Sequence, residues 1–84
     1  MTAIDYSKLR SVTARKIISA LQRDGLTFDR QSGAHQIYCH PDGRQVTVSF
    51  HTPGETFPLK TLRDMIEWQA HWTIADLKRL KLLK

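Results

Sequence analysis

The sequence is poor in cysteine, in long apolar runs and in negative charge. Cys39 is its one cysteine. No intramolecular disulfide can form, and a structural zinc site built on thiolates is excluded. No apolar run approaches the ~20 residues that a membrane-spanning helix needs. The opening Met1-Thr2-Ala3-Ile4-Asp5-Tyr6 lacks the basic-then-apolar order of a signal peptide. A bacterial or archaeal cytoplasm is the expected compartment, with no membrane contact. No internal repeat, low-complexity tract or linker breaks the chain. Acid is the scarcer sign: 13 Lys and Arg stand against 8 Asp and Glu, for a net charge of +5. The excess is scattered, as on a solvated surface, and it is also compatible with RNA or an acidic partner.

What is present is an ordinary globular composition, 40% hydrophobic and 25% charged over 84 residues. One domain spanning 1–84 is expected, with residues 1–10 as an N-terminal arm. A domain this small buries somewhat over ~60% of its unfolded surface, so its core must be thin.

Periodicity divides the rest. Ser11 or Thr13 can cap a helix whose apolar stripe is Val12, Ile17, Ile18 and Leu21. Asp24-Gly25 ends it. Leu26 and Phe28 then alternate with Thr27 and Asp29 as a short strand, and Gln31-Ser32-Gly33 reads as a turn. From His35 to His40 the alternation puts Ile37 and Cys39 on one side and Gln36, Tyr38 and His40 on the other. Pro41-Asp42-Gly43 is a tight turn, and Val46, Val48 and Phe50 carry the returning strand. Two prolines and a glycine make His51–Pro58 a loop. A helix follows from Leu59 or Lys60, with Leu62, Met65, Ile66 and Trp68 as its apolar face. His71-Trp72 breaks it, and Thr73 caps a last helix bearing Ile74, Leu77, Leu80 and Leu83. The expected fold is α+β, in the order α-β-β-β-α-α, with helices on one face of a three-stranded antiparallel sheet. The open face is expected to show Gln36, Tyr38, Thr47 and Ser49.

Four histidines are candidates for chemistry. Ile37 and Cys39 are the more apolar side of their strand. Parity therefore sends His35 toward the helices, where it is either a core-edge histidine or a catalytic one. Gly33 just before it frees the backbone for close approach. If Ile37 and Val48 share the core face, His51 lies opposite His35 and ranks second, as a substrate or backbone contact. His40 sits beside the tight turn and is expected in solvent; His71 is a helix-end residue. No pair stands at metal-binding helical spacing, and neither a metal nor a cofactor is expected. Cys39 reads as a small buried hydrophobe rather than a nucleophile.

The stretch from Leu21 to Ile66 resembles the HicA family, also called YcfA-like. The residues that carry the likeness are Leu21-Gln22-Arg23-Asp24-Gly25-Leu26, Arg30-Gln31-Ser32-Gly33-Ala34-His35-Gln36-Ile37-Tyr38, His40-Pro41-Asp42-Gly43-Arg44, Val46-Thr47-Val48, His51 and Thr61-Leu62-Arg63-Asp64-Met65-Ile66. The resemblance implies a fold similar to double-stranded-RNA-binding domains. It implies a toxin that is a metal-independent endoribonuclease acting on mRNA, neutralised by a HicB-type antitoxin. It implies that His35, the His after the Gly, is catalytic. Three departures stand out. Ala34 replaces the family's usual Ser, Pro58-Leu59-Lys60 stands where a Pro-Gly or Lys-Pro-Gly run usually precedes the second helix, and Glu67-Trp68-Gln69-Ala70-His71-Trp72 differs from the common Arg-Gln-Ala-Gly.

For RNA contact the candidate residues are Arg30 and Gly33 beside the histidine, and Lys60 with Arg63 at the start of the second helix. Imidazole titrates near ~6.5, so it can accept or donate a proton at cellular pH. Two other readings compete: a non-catalytic RNA-binding module of the same fold, and an interaction protein that docks through its open sheet face or the Trp68/Trp72 region.

Overall fold

The structure is a computed structural model that describes residues 3–84. A short 3₁₀ helix, Tyr6–Leu9, leads into helix α1, Ala14–Arg23. Strands β1 (Thr27–Ser32), β2 (His35–Cys39) and β3 (Gln45–Ser49) follow. Helix α2 (Leu59–Arg63) continues directly into a π-helical stretch, Asp64–Gln69, and helix α3 spans Ile74–Arg79. The α+β class and element order are those expected. The sheet is antiparallel in the order β1-β2-β3. This arrangement is compatible with a double-stranded-RNA-binding-domain-like fold.

Local chemistry sets the helix ends. Thr13 Oγ1 accepts from the Lys16 amide at 3.3 Å and caps α1, an arrangement worth about 1 kcal/mol. At the other end Gly25 takes φ +93°, and the Leu26 amide donates back to the Leu21 carbonyl at 2.9 Å. This six-to-one bond is the Schellman pattern, and it drives Leu21 and Leu26 together into the core. Thr73 and Asp76 form a reciprocal capping box at the start of α3.

Cross-strand register decides which sheet face is covered. Tyr38 pairs with Val46 and Gln36 with Val48, so these four share a face. Tyr38, Val46 and Val48 are buried in one cluster with Ile17 and Leu21 of α1 and with Leu62 and Ile66 of the helix that follows the sheet. Each such side chain contributes about 1.5–3 kcal/mol by leaving water. Ile37 pairs with Thr47, and Cys39 with Gln45, on the opposite face. The expectation from composition is therefore reversed. Gln36 and Tyr38 face the helices, and the row of Ile37 and Cys39 lies on the open side. Tyr38 is only 4% exposed, and its hydroxyl donates to Gln36 Oε1 at 2.9 Å. The phenol can be buried because its one polar atom has a partner. Ile37 is buried too, yet it lies outside the main core cluster.

Three other expectations are corrected. Of the expected arm 1–10, residues 1 and 2 lie outside the described residues. Tyr6 and Leu9 are core residues, and the Tyr6 hydroxyl donates to the Glu67 carboxylate. Trp68 is 69% exposed and adds nothing to the helix's buried face, whereas Trp72 is buried. Strand β1 extends to Ser32, so the turn is only Gly33-Ala34; Leu26 packs before the strand, and Phe28 is 51% exposed on the edge.

The two sheet edges differ. The Thr47 amide on β3 donates to Gln69 Oε1 at 2.7 Å, so the π-helical stretch closes that edge. Every residue of β1 is exposed, and its register shifts between Phe28 and Arg30. A bulge and charged residues are the usual protection of a free edge.

Candidate active site

The turn Gly33-Ala34 reverses the chain so that Ser32 pairs with His35. Gly33 takes φ +58°, a left-handed conformation that a Cβ disfavours. Nothing lies within 4 Å of where its Cβ would be, so its role is to make the turn, not to admit a neighbouring chain.

On the next strand Ser49 pairs with His35 from the other side. The result is a row across the open face, Ser32–His35–Ser49. A second row, Arg30–Ile37–Thr47, runs beside it. Directly paired residues hold their Cβ atoms about 4.5–5.5 Å apart, and diagonal neighbours are within reach of long side chains. Arg30 is such a diagonal neighbour of His35. His35, Ser32, Ser49 and Arg30 are all exposed. The imidazole is therefore on the uncovered face and open to solvent, not at the core edge as parity had suggested. No hydrogen bond ties its ring among the described residues, which leaves both nitrogens free for a ligand.

Arg30 pairs with the adjacent Asp29 carboxylate. The pair is exposed on both sides, so it is weak and easily exchanged for another anion. His51 follows β3 at the same end of the sheet. The Phe50 amide donates to the Ala34 carbonyl at 3.1 Å, which carries the pairing up to the Gly33 turn. The premise that set His51 opposite His35 was a shared face for Ile37 and Val48, and the register removes it. His51 is exposed, and its amide donates to Glu55 Oε1 at 3.2 Å.

Lys60 and Arg63 belong to the helical layer, so the fold does not set them on the sheet face of His35. Lys60 is exposed and forms no ion pair among the described residues. Arg63 is committed elsewhere: its guanidinium lies 5.6 Å from the Tyr6 ring centre and 3.9 Å from Glu67.

His40 is half-buried, not free in solvent, with Nδ1 accepting from the Asp42 amide at 3.0 Å. A Cβ at Gly25 would come within 3.0 Å of its Nε2. His40 is thus packing against the end of α1. Among the described residues no group of three or more His, Cys, Asp or Glu is placed to hold a metal ion.

Sequence reasoning did not bring Ser32 and Ser49 to the histidine. The signal was available in part: a two-residue turn at Gly33-Ala34 forces residue 32 opposite residue 35. It also missed Asp24, whose carboxylate gathers Trp72, Arg44 and Arg79 at 2.7–2.8 Å. Burial raises that carboxyl, but hydrogen bonds from Trp72, Arg79 and Arg44 outweigh it and hold it down at about 2. Arg44 also donates to the Ala70 carbonyl at 2.8 Å. This network ties α1, the β2–β3 turn and the last helix together, and it is structural.

A family model described as the HicA toxin of bacterial toxin–antitoxin systems matches residues 14–71. The match covers α1, the whole sheet, α2 and the π-helical stretch, and it includes His35. No curated protein matches the chain closely enough to count as a relative.

Proposed function

The chain belongs to the HicA toxin family of bacterial toxin–antitoxin systems, and we propose that it is a metal-independent endoribonuclease that cleaves mRNA with His35 as its general acid–base. Membership also implies an antitoxin partner; a HicB-type protein in the cytoplasm is the one this reading names. The observation that carries the proposal is the position of His35. It is exposed, unbonded, flanked by two hydroxyls and accompanied by Arg30 on the face that no helix covers.

RNA supplies its own nucleophile. The 2′-oxygen attacks phosphorus, the bond from phosphorus to the 5′-oxygen breaks, and the products are a 2′,3′-cyclic phosphate and a 5′-hydroxyl. The proton lost by the 2′-hydroxyl goes to the imidazole when it acts as base. The leaving 5′-oxygen takes a proton from the imidazolium or from water. Arg30 can leave Asp29 to neutralise the phosphate, and the hydroxyls of Ser32 and Ser49 can hydrogen-bond its oxygens. Lys60, Arg63, His51 and the exposed turn at Gly33 are proposed as outer contacts to the RNA strand. A placed acid or base contributes typically ~10²–10⁴-fold. Such an enzyme is slow, but mRNA is abundant and exposed, and slow cleavage suffices for growth arrest.

The test is expression of wild type and His35→Ala with and without a co-expressed antitoxin, together with cleavage of purified mRNA in EDTA. Wild type should arrest growth and leave cyclic-phosphate ends; His35→Ala should do neither while keeping its fold. Equal harmlessness, with intact mRNA, would leave the non-catalytic RNA-binding reading in its place.

A further inference from the structure

A second surface feature lies away from the sheet. The N-terminal segment, the start of α1 and the C-terminal end of the chain enclose a groove of about 780 Å³. Lys8, Lys16, Lys78, Lys81 and Lys84 line it, against a single acidic side chain, Asp5. Asp5 is already engaged, accepting from the Ser7 amide and hydroxyl at 3.1 and 2.6 Å. None of the five lysines forms an ion pair among the described residues. Arg30, Arg44, Arg63 and Arg79 all do. Among the described residues Arg10, Arg15, Arg23 and Lys60 are unpaired too, but only the groove brings five such cations to one place.

Between the lysines the lining is apolar, from Ile74, Leu82 and Leu83. Lys81 takes φ +63°, and the Leu82 and Leu83 amides both donate to the Leu77 carbonyl, at 2.8 and 3.1 Å. That turn folds the end of the chain back, so that Leu82 enters the core, Leu83 packs against it, and their outer edges form the floor of the groove. All the lining residues except Lys16 lie outside the 14–71 match. The groove therefore lies almost wholly outside the part of the chain that the family model matches.

We propose that this groove docks an acidic amphipathic peptide segment of the antitoxin, at a site separate from the His35 face. Charge selects an anion, and the apolar lining selects a peptide over a nucleic acid. No aromatic residue lines the groove, so unpaired bases would find no ring to stack on, and a single strand would have only its phosphates to offer the lysines. A segment with glutamates on one side and leucines on the other would meet both the lysines and the apolar floor. A partner that covers His35 and also occupies the groove holds by two linked contacts, which raises avidity beyond either one. The proposal rests on membership of a toxin–antitoxin family but not on ribonuclease activity.

The experiment uses the full chain and a fluorescein-labelled peptide with glutamate and leucine at amphipathic helical spacing, read by fluorescence anisotropy. The peptide should bind wild type and His35→Ala equally, and binding should weaken with salt. Lys78→Glu with Lys81→Glu should weaken it at least about ten-fold without lowering Tm. Should that variant unfold, Lys8→Glu with Lys16→Glu carries the same test from the other wall. Absent binding, or binding that ignores both charge reversals, overturns the proposal. An oligouridylate that binds in the peptide's place and is lost in the same variants also overturns it, giving the groove to RNA. Loss of mRNA cleavage alone bears on the ribonuclease reading and leaves this affinity untouched.

Discussion

His35 and Ser49 stand directly opposite one another across β2 and β3, on the face of the sheet that carries no helix. Ser32 completes the row from β1. Residue 34, just before the histidine, is alanine and offers no hydroxyl. The sheet offers two hydroxyls in cross-strand positions instead.

Ser49→Ala should therefore slow RNA cleavage about ten-fold or more. A hydrogen bond to a charged group is worth about 1.5–3 kcal/mol, and 1.4 kcal/mol is a factor of ten. Ser49 is exposed, so Tm should hold within experimental error. The measurement is the cleavage rate of a fixed RNA in EDTA, with Ser49→Thr as the conservative control. Equal rates in wild type and Ser49→Ala would remove the hydroxyl from the site.

The element order was legible because its signals are local. Thr13, Gly25, Pro41-Asp42-Gly43 and Thr73 act within a few residues of themselves. The face of the sheet was not legible, because it is set between strands. Alternation separates Ile37 from Tyr38 but does not say which one meets the helices. Hydropathy favours Ile37, and the pairing of Tyr38 with Val46 overrules it. The same long-range choice decides where His35 points. Locally Asp24 signals only a helix stop, because its partners Arg44, Trp72 and Arg79 are distant in sequence. The packing of residues 6–9 is illegible for a similar reason: Tyr6 finds Glu67, far along the chain.

His71 takes φ +57°, a left-handed conformation that favours glycine. A side chain there costs about 1–2 kcal/mol. His71 is exposed, so little packing is lost on its removal. His71→Gly should therefore be neutral or stabilising, by up to about 1 kcal/mol once glycine's greater unfolded-state entropy is counted. Urea denaturation decides it. A loss of stability would mean that the imidazole makes a contact that outweighs the strain.

The two tryptophans should behave in opposite ways. Trp68→Gln removes a side chain that is 69% exposed and should change stability by less than about 0.5 kcal/mol. Trp72→Ala empties a buried site and strands the Asp24 carboxylate without one of its donors, which should cost about 3–5 kcal/mol. Each single-tryptophan protein also gives a distinct emission: red-shifted for Trp68 and blue-shifted for Trp72. Equal emission maxima would contradict the burial assigned to them.

The Asp24 network should give the protein an acid limit that one substitution removes. The carboxyl is held at about 2, against an ordinary value of 3.8. Its folded value lies below its unfolded one, so its contribution is complete above about pH 4 and is lost as pH falls toward 2. That contribution is on the order of 2 kcal/mol. Asp24→Asn keeps the shape but loses the charge that Arg44 and Arg79 address. At pH 7 the variant should be less stable than wild type by about that amount, as read from urea midpoints. The gap should then close between pH 4 and pH 2, because wild type becomes protonated at Asp24 while the variant has nothing there to titrate. Asp5, Asp42 and Asp76 are also held below the usual carboxylate range. Asp5 is remote and cancels in the difference, whereas Asp42 and Asp76 share Arg44 and Arg79 with Asp24, so Asp42→Asn and Asp76→Asn backgrounds complete the measurement. A gap that stayed constant down to pH 2 would mean that hydrogen-bond geometry at Asp24, and not its charge, joins the three elements.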